Sequence, residues 1–173
     1  MPKSELNIRV LSPADATAFR ALRLRALKEH PDAFTSSFEE EQHKSLALSE
    51  ARLSQSGREK FWGAWTEDGG GELVGMVGLD RDPRRHCQHK GTVVAMYVAP
   101  AWTGRGLGHA LLAALLQEAR SLGLERLVLT VTRGNQAAEQ LYQRVGFVSF
   151  GVEPGAIKVK QQLYDKNYMG LVL

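Results

Sequence analysis

The chain has 173 residues, 43% of them hydrophobic and 24% charged, and its 22 basic and 19 acidic side chains leave a net charge of +3. That is the length and composition of one soluble domain, and a charge so nearly balanced, without a long run of one sign, excludes a nucleic-acid arm and a polybasic membrane patch. The single cysteine, Cys87, excludes an internal disulfide framework; with no apolar run of 18 residues and no signal-peptide core after Met1, a cytoplasmic address without membrane contact is expected.

Residues 6–11 alternate, with Leu6, Ile8 and Val10 on one side and Asn7 and Arg9 on the other, as a first strand does. Ser12, Pro13 and Asp15 supply a cap, a first-turn proline and an acid at the third position, so a helix is expected to run to about residue 29. Phe19, Leu22, Ala26 and Leu27 form its apolar stripe, and His30-Pro31-Asp32 ends it. Ser37 and Glu40 offer a second capping box, opening a helix expected to reach about residue 54. Residues 61–66 and 73–79 read as an antiparallel pair joined through Asp68-Gly69-Gly70-Gly71, and Gly75 and Gly78 mark a bulge or a close contact. Residues 80–90 read as a polar, basic loop.

The most informative stretch is 93–108, Val-Val-Ala-Met-Tyr-Val-Ala-Pro-Ala-Trp-Thr-Gly-Arg-Gly-Leu-Gly. A β-branched and aromatic run stops at Pro100, which has no N–H for a ladder. Gly104, Gly106 and Gly108 permit positive φ and close approach to bare backbone. Leu107, Ala110, Leu111, Ala114, Leu115, Ala119 and Leu122 then recur at helical spacing up to Gly123. Several free N–H groups and the positive end of a helix dipole therefore converge at one spot, which suits a phosphate or pyrophosphate. It is not a P-loop, because His109 and Ala110 stand where Lys and Ser/Thr are needed. Nor is it a dinucleotide fingerprint, because the third glycine falls at His109 or Leu111.

Residues 126–132 form the next alternating strand. Asn135 caps a short helix with Ala138, Leu141, Tyr142 and Val145 on its apolar side, stopped by Gly146. Residues 147–152 and 163–173 complete the set. The sum is one domain over residues 1–173, a mixed α/β sheet of about seven strands with about four helices. Its first half is antiparallel, and one parallel βαβ crossover follows residue 98.

Two segments resemble the Gcn5-related N-acetyltransferases. One is Val98-Ala99-Pro100 followed by Thr103-Gly104-Arg105-Gly106-Leu107-Gly108, where the family pattern is Gln/Arg-x-x-Gly-x-Gly/Ala and Thr103 replaces the usual first residue. The other is Asn135, Ala138, Leu141, Tyr142, Gly146 and Phe147, matching Asn-x-x-Ala-x-x-Leu-Tyr-x-x-x-Gly-Phe. The resemblance covers nearly the whole chain. It implies acetyl-CoA as co-substrate, no metal, and direct transfer to the amine of a small molecule, amino acid or peptide.

It also implies that the parallel strands splay and admit the pantetheine arm. Met96, Tyr97 and Val98 would line that opening, with the Val98 N–H at the thioester oxygen. Thr103, Gly104, Arg105, Gly106, Leu107, Gly108 and His109 would hold the pyrophosphate, while Asn135, Ala138 and Tyr142 would face the pantetheine and sulfur. A tyrosine hydroxyl suits a general acid toward a thiolate, and Tyr142 is taken as that acid. The glutamate base that one branch of the family carries on the strand before the Asn helix has no counterpart here, where Thr130 stands. Glu41 is the preferred base and acceptor-side residue, ahead of Glu39, Glu40 and Asp80, and Phe34 is expected to shape the acceptor pocket. His86-Cys87-Gln88-His89 lacks the second ligand pair of a metal site. The alternatives are a non-catalytic acyl-CoA sensor and a transferase for another acyl group. A homodimer paired through the terminal strand, 163–173, is a further expectation.

Overall fold

The computed structural model describes residues 6–54, 57–66 and 71–173. Asp68, Gly69 and Gly70 of the expected hairpin turn, and the leader reading at residues 1–5, lie outside them; the turn's flank is closed by Thr66 N–H donating to Glu72 O at 3.0 Å. Seven strands form one sheet: β1 (Leu6–Val10), β2 (Glu59–Thr66), β3 (Leu73–Arg81), β4 (Lys90–Val98), β5 (Arg126–Thr132), β6 (Val148–Val159) and β7 (Gln162–Val172). Their spatial order is β1-β2-β3-β4-β5-β7-β6, antiparallel except for β4 with β5.

Five α-helices accompany them among the described residues: α1 (Ala16–Glu29), α2 (Phe38–Glu41), α3 (Leu46–Arg52), α4 (Leu107–Ser121) and α5 (Gln136–Val145). The helix expected over 38–54 is thus two. The Ser37–Glu40 capping box forms as expected, with Glu40 N–H donating to Ser37 Oγ at 3.2 Å. Arg20 Nη2 then donates to the carbonyls of Gln42 at 2.8 Å and Lys44 at 3.1 Å, and extended Ser45 precedes a new helix.

Neighbouring residues of β2 show how the layers stack. Phe61 meets Phe19 of α1 edge-on at 4.9 Å, whereas Lys60 Nζ pairs with Glu118 of α4 at 2.6 Å. Successive strand residues face opposite sides, so α1 covers one face and α4 the other. All four stripe residues of α1 are buried, and α4 buries Leu107, Leu111, Leu115 and Ala119. It also buries Leu112 and Leu116, while Leu122 is exposed. Gly78 sits at a register irregularity, and a Cβ there would meet Phe61 at 2.5 Å and Val94 at 2.9 Å.

Two boundaries and one strand position differ from the sequence reading. β4 begins at Lys90, because Lys90, Gly91 and Thr92 pair with β5. β6 runs on to Val159, through residues expected to form a loop. Pro154 is tolerated there because β6 is the sheet edge, where a missing N–H breaks no ladder, and the register is irregular between Glu153 and Ile157. For the same reason the terminal strand is not an edge: β7 lies between β5 and β6, with both sides hydrogen-bonded, so pairing through an open β7 edge is overturned.

Candidate active site

β4 and β5 pair only at Lys90↔Arg126, Gly91↔Leu127 and Thr92↔Val128, then part. A bulge in β4 accompanies the parting: its register against β3 shifts between Met76 and Gly78, and Ala95 takes φ +53°. Such a φ is unfavourable for a non-glycine residue, and it turns the end of the strand away from its parallel neighbour. Ala99 N–H donates to Val74 O at 2.8 Å, which makes Ala99 and Val74 a hydrogen-bonded pair. By antiparallel alternation Val98, opposite Gly75, is then a non-bonded position. Its N–H and C=O point away from β3, into the gap.

At the end of β4 a 3₁₀ turn over Pro100–Trp102 leads to the glycine turn. Gly104 and Gly106 have φ of +73° and +78°, and a Cβ on either would meet nothing within 4 Å. These glycines serve backbone direction and leave open space above it. Gly108 serves a different purpose, since a Cβ there would strike the Leu141 side chain of α5 at 2.9 Å. Leu107, Gly108 and His109 form the first turn of α4, where N–H groups have no intrahelical acceptor. A cavity of about 570 Å³ opens in front of them, walled by Met96–Val98, the turn and α5. A second, of about 390 Å³, continues between the parted strands. Phe34, Met96, Asn135 and Ala138 line both, so the two form one cleft.

The model of the acetyltransferase (GNAT) family matches residues 24–147. The chain belongs to that family. Among curated relatives it is 35% identical over 107 residues to an L-methionine sulfoximine/L-methionine sulfone acetyltransferase of Pseudomonas aeruginosa, covering 61% of this chain and 62% of that one. It is 27% identical over 104 residues to a putative phosphinothricin acetyltransferase of Bacillus subtilis, covering 60% and 64%. The chain spans less than two thirds of the length of either relative. A solved GNAT-family acetyltransferase from Streptococcus pneumoniae superposes with a TM-score of 0.87 at 28% identity, covering 98% of this chain and all of that one. A putative acetyltransferase from Salmonella typhimurium, solved with acetyl-CoA, superposes at 0.78 with 24% identity, covering 98% and 94%, and shows the same fold.

Within this acetyltransferase fold, the residues singled out in the sequence fall into two groups. Met96, Tyr97, Val98, Thr103, Gly104, Gly106, Leu107, Gly108, His109, Asn135 and Ala138 line the outer half of the cleft. Arg105 does not; its guanidinium lies over the Trp102 ring at 4.8 Å. Tyr97 contributes its flank, because its hydroxyl donates to Glu29 at 2.5 Å. Asn135 caps α5 by accepting from Ala138 N–H at 3.3 Å. Tyr142 is buried and lines the inner half, edge-on to Phe147 at 5.9 Å. Burial pushes its phenol well above the ordinary value, so it stays protonated through neutral pH.

Glu41 is elsewhere. It lines a separate cavity of about 510 Å³ among Arg20, Arg23, Arg52 and Arg58, which has no residue in common with the cleft. Lys44 Nζ donates to it at 2.5 Å, and Arg23 Nε stands 3.5 Å away. Burial works to raise its carboxyl, but the Lys44 hydrogen bond and the charges of Arg23, Lys44 and Arg52 outweigh it and hold it below its ordinary value. A carboxylate held this way is a weak base.

The sequence reading missed Arg144, which lines the outer half of the cleft three residues after Leu141 on the same face of α5. That i, i+3 spacing was a usable signal. It also missed Lys166, which lines the inner cleft, and for which no local pattern existed.

Proposed function

We propose that this chain is an acetyl-CoA-dependent N-acetyltransferase that acts directly on a primary amine of a small molecule, amino acid or peptide. The parted strands carry this reading: a gap between β4 and β5 with the Val98 backbone turned into it leads straight to the first turn of α4. The relatives named for acetylating L-methionine sulfoximine, and the neighbour solved with acetyl-CoA, support it.

The residues present fit such a donor. The N–H groups of Leu107, Gly108 and His109 and the α4 dipole suit its diphosphate, with Arg144 on the facing helix. Met96, Ala138 and Phe34 provide a mostly apolar channel suited to a pantetheine arm. Bound there, the co-substrate supplies an activated acetyl thioester. The Val98 N–H donates to the carbonyl oxygen as it gains charge, a contribution of about 3 kcal/mol to the barrier. Tyr142, kept protonated by burial, delivers its proton to the departing sulfur.

Isothermal titration with CoA tests the donor half, and thiol release from acetyl-CoA across amines, amino acids, antibiotics and peptides tests the transfer. Micromolar binding and an amine-dependent thiol signal are expected. No heat near millimolar CoA rejects the donor site, and tight binding with no thiol release from any amine favours an acyl-CoA sensor.

A further inference from the structure

Lys166 is 4% exposed and lines the inner cleft together with Thr130, Tyr142 and Tyr168. The β5–β7 register brings it there from far along the chain, opposite Thr132. Its Nζ donates to Ala33 O at 3.1 Å and to Thr132 Oγ1 at 3.0 Å. The Thr132 hydroxyl gives its own proton to Asp32 O at 2.6 Å, so toward Nζ it acts as an acceptor. A neutral amine has two N–H groups and one lone pair. Both N–H groups are taken here, and the lone pair is left over. An ammonium would carry a third N–H without an acceptor among the described residues, and none of their carboxylates forms an ion pair with it. A buried charge in that position is costly and favours the neutral form.

We infer that Lys166 is the general base of the transfer, its neutral Nζ taking the proton of the acceptor's ammonium within the cleft. The inference rests on the acetyltransferase reading. One N–H proton of R–NH3⁺ passes to Nζ, and the freed lone pair forms the C–N bond to the thioester carbon. The C–S bond breaks with its electron pair on sulfur, and Tyr142 protonates that sulfur. The second proton lost by the acceptor nitrogen restores the phenol. Lys166 returns its proton to solvent, so the balance is one amide, one thiol and one released proton.

The base missing at Thr130 is thereby supplied from the neighbouring strand, since Thr130 and Tyr168 are paired in register two residues along. The titratable groups around Nζ are few. The turn after α1 presents Asp32, α5 presents Tyr142, and β7 presents Tyr168, whose hydroxyl donates to Glu153 at 2.6 Å; β4 and β5 line the cavity with Thr92, Val94 and Thr130. Burial lowers Lys166 and the Asp32 charge opposes it, leaving the amine below its ordinary value. Its neutral fraction, and the rate, therefore rise with pH through that lowered value.

The test is a pH titration of the full chain with 13Cε-labelled lysine, without donor, with the Lys166 resonance assigned through its proximity to the Thr132 methyl. It should titrate below the ordinary lysine value. With the best amine of the panel, Lys166→Arg and Lys166→Gln should keep CoA affinity but lose about 100-fold or more in kcat, together with the rising limb of the pH profile. The glutamine amide keeps two N–H donors but has no basic lone pair, so a merely structural role predicts near-normal turnover for it. A Lys166 signal that titrates at or above the ordinary lysine value overturns the inference, as does either folded variant retaining turnover within about threefold. Absence of CoA binding is a separate result that rejects the acetyltransferase reading and leaves the titration readable.

Discussion

Two cavities meet at the connection between α1 and α2, with Phe34 and Thr35 lining the cleft and Ser36 lining the arginine-rich cavity. They are built on opposite plans. In the arginine cavity most charges answer one another: Glu41 holds Lys44 at 2.5 Å, Arg52 holds Glu59 at 2.7 Å, and Arg58 reaches out to Asp80 at 2.5 Å, while Arg23 Nε is buried 3.5 Å from Glu41 without a hydrogen bond. In the cleft the polar groups are left open: backbone turned from its ladder at Val98, a helix start without a capping side chain, and a buried lysine without a carboxylate. The arginine cavity pairs its carboxylates with its own cations, whereas the cleft holds its polar groups in reserve, and that distinction separates the cavities better than their size does.

The largest effect expected from breaking this contrast is at the glycine turn. Gly106→Glu places a carboxylate where the N–H groups converge, and its Cβ meets open space, so the packed core is untouched. A residue with a Cβ at φ +78° costs about 1 kcal/mol, which in a domain of this size lowers the melting temperature by about 2–4 °C. CoA affinity should fall by about 100-fold or more, since a like charge replaces an attractive field. Calorimetry beside a thermal melt separates the two effects. Unchanged affinity in a folded variant puts the phosphate cradle elsewhere.

That half of the site was legible because it is written in backbone. Gly104 and Gly106, between Pro100 and an apolar helical stripe, specify a turn whatever the rest of the fold does, and the same holds for Asn135 and Gly146 at the two ends of α5. The acceptor half is assembled from residues distant in sequence. Lys166 reaches Ala33 across 133 positions and Thr132 across 34, and no window around Lys166 announces either contact. Glu41 illustrates the converse. Three consecutive acids drew attention to it, but which cavity they border depends on how Arg20 breaks the helix at Gln42. Strand order was illegible for a similar reason, because alternation in β6 and β7 says nothing about which of them lies outermost.

The next effect in size is at the sulfur end of the cleft. Tyr142→Phe removes one hydroxyl and keeps the ring against Phe147, so packing and CoA affinity should hold. Turnover should drop by about 10- to 100-fold, the lower range of what a positioned acid contributes. Because burial raises this phenol, wild type should show no loss of rate near pH 10 from its ionisation. Equal losses in affinity and turnover would reassign Tyr142 to packing alone.

The smallest catalytic effect is expected at Glu41, and it tests the other side of the contrast. Glu41→Gln removes the charge that Arg23 and Lys44 share, and Arg23, part-buried and repelled by Arg52, loses its nearest anion. Near neutral pH the variant should be about 1–2 kcal/mol less stable, the cost of leaving such a group poorly paired. The native carboxyl sits below its ordinary value, so its stabilisation is complete above the unfolded value near 4.5 and fades as pH falls through the folded one. Urea unfolding at neutral and acid pH should therefore show wild type and variant converging as the solution is acidified. Thiol-release turnover should stay within about twofold throughout, because no reacting atom is near this pair. A collapse of turnover with stability intact would mean that the acceptor enters through the arginine cavity, and that its paired charges open to receive it.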